Sequence, residues 1–136
     1  MKRKVGKILW VGVLLAVLAA GAARAAPNAI GVGQAAALQR SGALLLDVRE
    51  PEEYAQGHAP GSTLIPLGQL QSRLRELDAF KGQRIAIICR SGRRSALALQ
   101  MLERAGYSAA NVEGGMIAWT KAGLPIIPDP GLAISR

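Results

Sequence analysis

The sequence predicts a mainly parallel α/β sheet of about five short strands with helices on both faces. Short apolar runs of strand length alternate with stretches of helical character, and short turns rich in glycine and proline join them. The runs over 43–48 and 85–88 carry few polar residues, which is typical of strands covered on both faces. A chain of 136 residues has room for one compact domain.

Each predicted element has a local justification. Pro51, followed by two glutamates, suits the first turn of a helix. Leucines spaced by three and four over 67–77 predict one amphipathic α-helix laid on the sheet. Gly106 provides a natural end for the helix before it. In chain order we expect an edge strand near Ile30, a helix over 33–40, a strand over 43–48, a helix from Pro51, a strand over 63–66, the leucine helix, a strand ending at Cys89, a helix over 95–105, a strand over 111–113 and a helix over 115–122.

Cys89 is the only cysteine, and it stands between a predicted strand and a predicted helix. A free cysteine titrates near pH 8.5, but helix N-termini and adjacent cations lower the pKa to roughly 3.5–7.5. Gly92 allows the loop to turn its amides inward. We therefore expect a solvent-facing Cys89 thiolate as the nucleophile, activated by those amides and by three arginines. The expected substrate-binding residues are Arg90, Ser91, Gly92, Arg93, Arg94 and Ser95.

A second polar segment follows another predicted strand. Ligands bind at the carboxyl ends of strands in open parallel sheets, and both Cys89 and Asp47 to Arg49 fall at such ends. Asp47 and Arg49 are interpreted as a structural ion pair beneath the site, and the alternative gives Arg49 a share in anion binding. His58 and Trp119 are interpreted as structural residues.

The first 25 residues have the layout of a secretory signal peptide. A basic start precedes an uncharged run over 8–23, and Ala23-Arg24-Ala25 supplies the small residues of a cleavage site. This predicts a periplasmic or otherwise exported protein, with a membrane anchor over 8–23 as the alternative. We expect a domain over 33–125 and an irregular tail over 126–136. A single cysteine provides no internal disulfide in an oxidising compartment, so a chemical role is favoured.

Charge and ligand counts exclude two function classes. Removal of the leader leaves 12 Lys and Arg against 9 Asp and Glu, and basic runs interleaved with aromatics are lacking, so nucleic-acid binding is not predicted. One cysteine and one histidine cannot fill a closed zinc site, and neither a metal nor a cofactor is expected.

Four motifs in order resemble the single-domain rhodaneses, a family of sulfurtransferases. They are LDVREPEEY at 46–54, GHAPGS at 57–62, CRSGRRS at 89–95 and EGGMIAW at 113–119, and the resemblance runs over roughly 33–125. It implies that Cys89 takes a sulfane sulfur from thiosulfate or a persulfide donor. The sulfur would be held as a persulfide and passed to cyanide or a thiol. The partners implied are these small molecules and, as an option, a protein thiol.

Three other functions fit parts of the sequence less well. Cysteine phosphatases and arsenate reductases place an arginine six positions after the cysteine, where this chain has Ser95, so they are less favoured. Rhodanese-like binding or regulatory modules commonly lack the cysteine that is present here. An exported sulfur-relay protein with little thiosulfate turnover is the main alternative.

Overall fold

A computed structural model describes residues 28–128 and shows a five-stranded sheet whose paired strands are all parallel. The strands lie in the order β1-β5-β4-β2-β3. The predicted fold class is confirmed. The strands are β1 (Ala29–Ile30), β2 (Leu45–Asp47), β3 (Thr63–Leu64), β4 (Arg84–Ile88) and β5 (Ser108–Val112). The helices are α1 (Val32–Arg40), α2 (Pro51–Gln56), α3 (Leu67–Leu70), α4 (Arg93–Arg104) and α5 (Gly115–Lys121), with a 3₁₀ helix over Gln71–Phe80.

Alternate side chains of the strands build two separate hydrophobic layers. One layer holds Ile85, Ile87 and Cys89 of the β4 segment together with the buried residues of α4 and of the 3₁₀ helix. The other holds Ala86 and Ile88 together with the buried residues of α1 and α5. Because side chains in a strand alternate between faces, Cys89 continues the row that packs under α4. The sheet is therefore covered on both sides, as its apolar strands predict.

The predicted single leucine helix is wrong in its geometry. Four residues form α3, and the chain then continues as a ten-residue 3₁₀ helix. Leu74, Leu77 and Phe80 follow one another at intervals of three, which match the three residues per turn of a 3₁₀ helix. The Tyr107 hydroxyl oxygen lies within hydrogen-bond distance of the Leu74 carbonyl (3.0 Å) and of the Asp78 carboxylate (2.7 Å), which ties this segment to the residue before β5.

The ends of β2 and β4 are adjacent, as their positions in the sequence suggested. Asp47 pairs with Ile88 across the two strands, and the Val48 amide donates to the Ile88 carbonyl at 3.0 Å. The segments that follow these strands, Asp47–Arg49 and Cys89–Ser95, therefore leave the same edge of the sheet. Helix α4 begins two residues before the predicted boundary because Gly92, at φ +101°, turns the chain directly into it.

The predicted leader over residues 1–25 lies outside the described residues, as does most of the predicted tail. Within residues 28–128, none of the helices has the length and apolar character needed to cross a bilayer.

Candidate active site

The loop after β4 wraps around the sulfur atom of Cys89. The Gly92 amide donates to Sγ at 3.1 Å, and the Ser95 hydroxyl oxygen lies 3.2 Å from Sγ. Gly92 precedes the first residue of α4 with φ +101°, a conformation that residues with a Cβ resist. The sequence C-x-x-G therefore lets the chain reverse tightly enough for the amide three residues on to reach the sulfur.

Cys89 is buried, and the prediction that it faces solvent is wrong. Only 1% of the residue is exposed, and it belongs to the layer beneath α4. Its sulfur nevertheless has polar neighbours, because it lies where the apolar row of β4 ends and the first turn of α4 begins. The Cys89 side chain therefore has apolar neighbours on the side of the core and polar neighbours on the side of the loop.

Hydrogen bonds lower the pKa of the buried thiol. Burial is the largest single influence and raises the pKa of Cys89. The Ser95 hydroxyl and the amides of Ser95, Gly92 and Ser91 together outweigh it, so the pKa lies below its ordinary value. The thiolate is favoured by donors aimed at the sulfur, which is the effect expected of an inward-facing loop at a helix start.

Of the two influences that we predicted on the Cys89 thiol, the loop amides and the arginines, the amides and the Ser95 hydroxyl are the main ones that lower its pKa. Arg94 forms a two-bond ion pair with Glu53 of α2, at 2.7 and 2.8 Å. The hydrogen bond to Glu53 chiefly raises the pKa of Arg94, and the attraction of Cys89 adds a smaller part. Arg93 is exposed, and Arg90 lines a neighbouring cleft. Arg90 and Arg93 are thus placed to attract an anionic sulfur donor. Arg94 is not, because Glu53 largely neutralises its charge.

The N-terminus of α5 holds the outer side of the loop. The Met116 amide donates to the Cys89 carbonyl at 2.8 Å, and the Ile117 amide donates to the Arg90 carbonyl at 3.1 Å. Because these two carbonyls point at α5 and away from the sulfur, the amides on the opposite side of the loop backbone can donate to the sulfur. A Cβ at Gly115 would overlap the Cys89 carbonyl oxygen and lie 2.6 Å from the Arg90 carbonyl carbon. The close approach of α5 therefore requires glycine at this position.

Asp47 and Arg49 form a buried ion pair at the end of β2. The Arg49 Nε and Nη2 atoms donate to the Asp47 carboxylate at 2.8–3.0 Å. Nη2 also donates to the Gly57 carbonyl at 2.8 Å, and the Arg49 amide donates to Asp47 Oδ1 at 3.0 Å. Asp47 is 0% exposed and Arg49 is 6% exposed. These contacts are those of the structural ion pair that we preferred. Arg49 also lines the cleft beside the cysteine loop, so its share in anion binding stays a prediction.

His58 and Trp119 also have structural surroundings. The His58 ring stacks on Tyr54 with centroids 3.6 Å apart, and its Nδ1 lies 2.8 Å from the Tyr54 carbonyl oxygen. The Trp119 ring is 1% exposed, and its Nε1 donates to the Pro125 carbonyl at 2.8 Å. Neither side chain is directed at the cysteine loop by any of these contacts.

An open cleft of about 520 Å³ lies beside the cysteine loop. Its polar wall includes Arg90, and its apolar wall includes Met116, Ile117 and Ile126. Ile117 is 52% exposed, so its apolar side chain is open to a ligand in the cleft. The volume falls within the roughly 300–1,000 Å³ typical of sites for organic ligands. Within residues 28–128, no cluster of three or more metal-ligating acidic, histidine or cysteine side chains forms.

Three contributors to the site were missed by reasoning from the sequence. Glu53 was assigned to a helix start and a motif, Gly115 to a motif and a helix start, and Asn111 to a strand, but none of them to the site. Asn111 accepts a hydrogen bond from the Ser95 hydroxyl at 2.5 Å and donates to the Gly92 carbonyl at 3.0 Å. The available signal was a polar amide at the end of an otherwise apolar strand that leads to the sheet edge carrying the site.

A family model described as the rhodanese-like domain matches residues 32–122. The chain belongs to the rhodanese-like family. A protein of Allochromatium vinosum called a sulfurtransferase is 40% identical over 89 residues, which cover 65% of this chain and 81% of that protein. A putative sulfur carrier protein of Bacillus subtilis is 46% identical over 77 residues, which cover 56% of this chain but only 40% of that protein.

The rhodanese fold is also found among solved structures. The crystal structure of a rhodanese-related protein from Thermoplasma volcanium superposes with a TM-score of 0.68 at 31% sequence identity. The match covers 74% of this chain and 97% of that one. Family membership, fold and the relatives named as sulfurtransferases together support a rhodanese-type sulfur transfer.

Proposed function

We propose that this rhodanese moves a sulfane sulfur from thiosulfate or a persulfide donor to a thiophilic acceptor through a persulfide on Cys89. The observation that carries the proposal is the set of donors around Sγ, which lowers the pKa of Cys89 although the residue is buried. An ionised sulfur needs no general base, and the only histidine of the chain is stacked on Tyr54. The chemistry is two-step covalent catalysis.

Both steps balance without a cofactor. The Cys89 thiolate attacks the outer sulfur of the donor, a new S–S bond forms, and the donor's S–S bond breaks. With thiosulfate, sulfite leaves with the electron pair. The acceptor, cyanide or a thiolate, then attacks the outer sulfur and releases the Cys89 thiolate. An S–S bond is about 2 Å long, so the transferable sulfur lies about 2 Å beyond Sγ along the new bond. The loaded sulfur is therefore easier to reach than the buried thiolate.

The loop favours sulfur transfer over phosphate hydrolysis. Phosphatase loops aim an arginine at the substrate from the sixth position after the cysteine, and here that position holds Ser95, whose hydroxyl contacts Sγ. Arg94, one position earlier, is turned to Glu53. The cradle accordingly suits a sulfur atom carried on cysteine.

The cleft beside the loop supports an organic thiol as the acceptor in the cell. Thiosulfate has five heavy atoms and fills only part of about 520 Å³. The apolar wall of Met116, Ile117 and Ile126 suits carbon atoms, and Arg90 suits a carboxylate. This favours a larger thiol over cyanide as the acceptor. We further propose that the protein acts after export, on the basis of its leader pattern.

The test is intact-mass analysis of the protein after incubation with thiosulfate. We expect a gain of one sulfur atom on Cys89, and we expect cyanide or a small thiol to remove it. The Cys89→Ser variant is the control and should gain nothing while keeping the wild-type far-ultraviolet circular dichroism. Sulfur loading in that variant would refute Cys89 as the nucleophile. Hydrolysis of a phosphomonoester without any sulfur loading would replace the proposal by a phosphatase.

Comparison of acceptors separates the two versions of the function. Fast discharge to cyanide with slow discharge to thiols indicates a thiosulfate:cyanide-type enzyme. Slow turnover with thiosulfate, a stable persulfide and faster discharge to a carboxylate-bearing thiol indicates a relay. The exposed Ile117 offers a matched probe, because Ile117→Ser should slow discharge to the larger thiol more than discharge to cyanide.

A further inference from the structure

The Ser95 hydroxyl lies between two groups that compete for its proton. Its oxygen is 3.2 Å from the sulfur of Cys89 and 2.5 Å from the Oδ1 of Asn111. Ser95 is 0% exposed, so water does not provide it with a further partner. A hydroxyl has one hydrogen and donates one strong bond at a time. Its direction must therefore depend on the charge of the sulfur.

The orientation of the Asn111 amide is fixed by a separate contact. Its Nδ2 donates to the Gly92 carbonyl at 3.0 Å. A carbonyl oxygen only accepts, so the amide nitrogen must face Gly92 and the amide oxygen must face Ser95. Asn111 lies on β5 opposite Ile87 of β4, on the sheet face that carries Cys89 and α4. The Asn111 acceptor is therefore carried by the sheet and oriented by the Gly92 carbonyl of the loop.

We propose that Asn111 is a positioning residue that provides the Ser95 hydroxyl with a second acceptor, so that the hydroxyl turns between sulfur and amide during each catalytic cycle. When Cys89 is a thiol, its S–H donates to Ser95 and the hydroxyl donates to Asn111. When Cys89 is a thiolate, the hydroxyl turns to the sulfur and Oδ1 loses that donor. Asn111 thus holds back part of the stabilisation that Ser95 offers the thiolate.

The same competition favours the loaded state. In the persulfide the inner sulfur is uncharged and accepts weakly, because the negative charge resides on the outer sulfur. The hydroxyl then returns to Asn111 with no loss to Sγ. Only a rotation of the hydroxyl is involved, and no proton leaves Ser95. Asn111 therefore destabilises the empty thiolate relative to the persulfide and helps the loop to accept sulfur.

Fixed charges around the loop are left unchanged by this exchange. Among the described residues, the charged side chains on the surrounding elements include Arg90, Arg93, the Arg94–Glu53 pair, the Asp47–Arg49 pair and Glu113. The variants below retain all of them. A change in Cys89 titration in Asn111→Ala, which adds no charge, accordingly reports on the hydroxyl and the amide.

The test is the pH dependence of Cys89 alkylation by iodoacetamide in the full chain without any sulfur donor. For Asn111→Ala we expect the midpoint to fall by about 0.5–1 pH unit, because the freed hydroxyl donates to the thiolate. For Asn111→Asp we expect it to rise, because a carboxylate holds the hydroxyl more firmly. Both variants lose the bond to the Gly92 carbonyl, so an effect through the loop would move both midpoints in the same direction.

A double-variant cycle decides whether Ser95 is the intermediary. In a Ser95→Ala background the fall caused by Asn111→Ala should vanish, and the rise caused by Asn111→Asp should shrink to the part due to its charge. Equal shifts in both backgrounds, or shifts of one sign for both variants, would overturn the proposal. Ser108→Ala, on the exposed start of the same strand, is the control and should leave the midpoint in place. The inference rests on Cys89 as the nucleophile, but this readout needs no sulfur transfer, so the two can fail separately.

Discussion

The segments that follow the neighbouring strands β2 and β4 are both polar, but their hydrogen bonds have different effects. After β2, the Arg49 guanidinium donates to the Asp47 carboxylate and to the Gly57 carbonyl, so the two buried charges neutralise each other. After β4, backbone amides and a hydroxyl are directed at one sulfur atom. A buried ion pair whose charges neutralise each other stabilises one structure. Hydrogen-bond donors around a single titrating thiol instead stabilise its reactive thiolate form. The ion pair after β2 therefore supports the cysteine loop after β4.

Breaking the ion pair after β2 should have the largest effect on stability. Arg49→Met leaves Asp47 buried without its cation, which costs about 3–5 kcal/mol of the free energy of unfolding. Urea denaturation would show the loss as a lower midpoint at an unchanged slope. Arg73→Met is the matched control, because Arg73 pairs with Glu76 at the surface, and it should leave the urea midpoint nearly unchanged. Equal losses in the two variants would contradict the contrast.

Displacing the cysteine loop from outside should have the next largest effect. Gly115→Ala puts a Cβ against the carbonyls of Cys89 and Arg90 at a backbone φ of +53°. We expect a loss of about 2–4 kcal/mol in the free energy of unfolding, together with strongly reduced sulfur loading.

The matched control for that variant is Gly123→Ala. Gly123 also has a positive φ, +70°, but an added Cβ there would meet nothing within 4 Å. It should cost about 1–2 kcal/mol for the backbone conformation alone and leave sulfur loading intact. If Gly123→Ala reduced loading as much as Gly115→Ala, the contact between α5 and the loop would not be the cause.

The ion pair that links the two regions should have the smallest effect. The hydrogen bond from Arg94 lowers the pKa of Glu53 from 4.5 to about 2. A carboxylate with a lowered pKa adds stability above pH 4.5, and that stability is lost as the pH falls toward 2. Because both side chains are about one-third exposed, screening limits the contribution to about 1 kcal/mol or less.

Stability measured against pH tests this link. Glu53→Gln should be less stable than wild type above pH 5, and the difference should shrink as the pH approaches 2. Glu52→Gln, an exposed neighbour in α2, should match wild type throughout. A Glu53→Gln deficit that stayed constant down to pH 2 would show that the lost contribution is not ionic.

Much of the fold and part of the site could be predicted from local patterns. Apolar runs and turn residues predicted five strands because strand length and burial leave a direct mark on composition. The 3₁₀ helix was missed because a spacing of three and four suits an α-helix as well. The burial of Cys89 was missed because its row continues from β4 beneath α4, and this depends on how the helix packs. Asn111 was missed for the same reason, since its partners lie 16 and 19 residues away in the chain.

The sequence by itself predicted the sheet, the cysteine of the candidate site and the glycine that turns the loop, because each depends on residues close together in the chain. Only the tertiary structure decided which charged side chains form ion pairs, how deeply the Cys89 sulfur is buried and which strand provides an acceptor for the Ser95 hydroxyl. The physical reason is that hydrogen bonds and ion pairs depend on distance and direction in space, and segments far apart in the chain determine both.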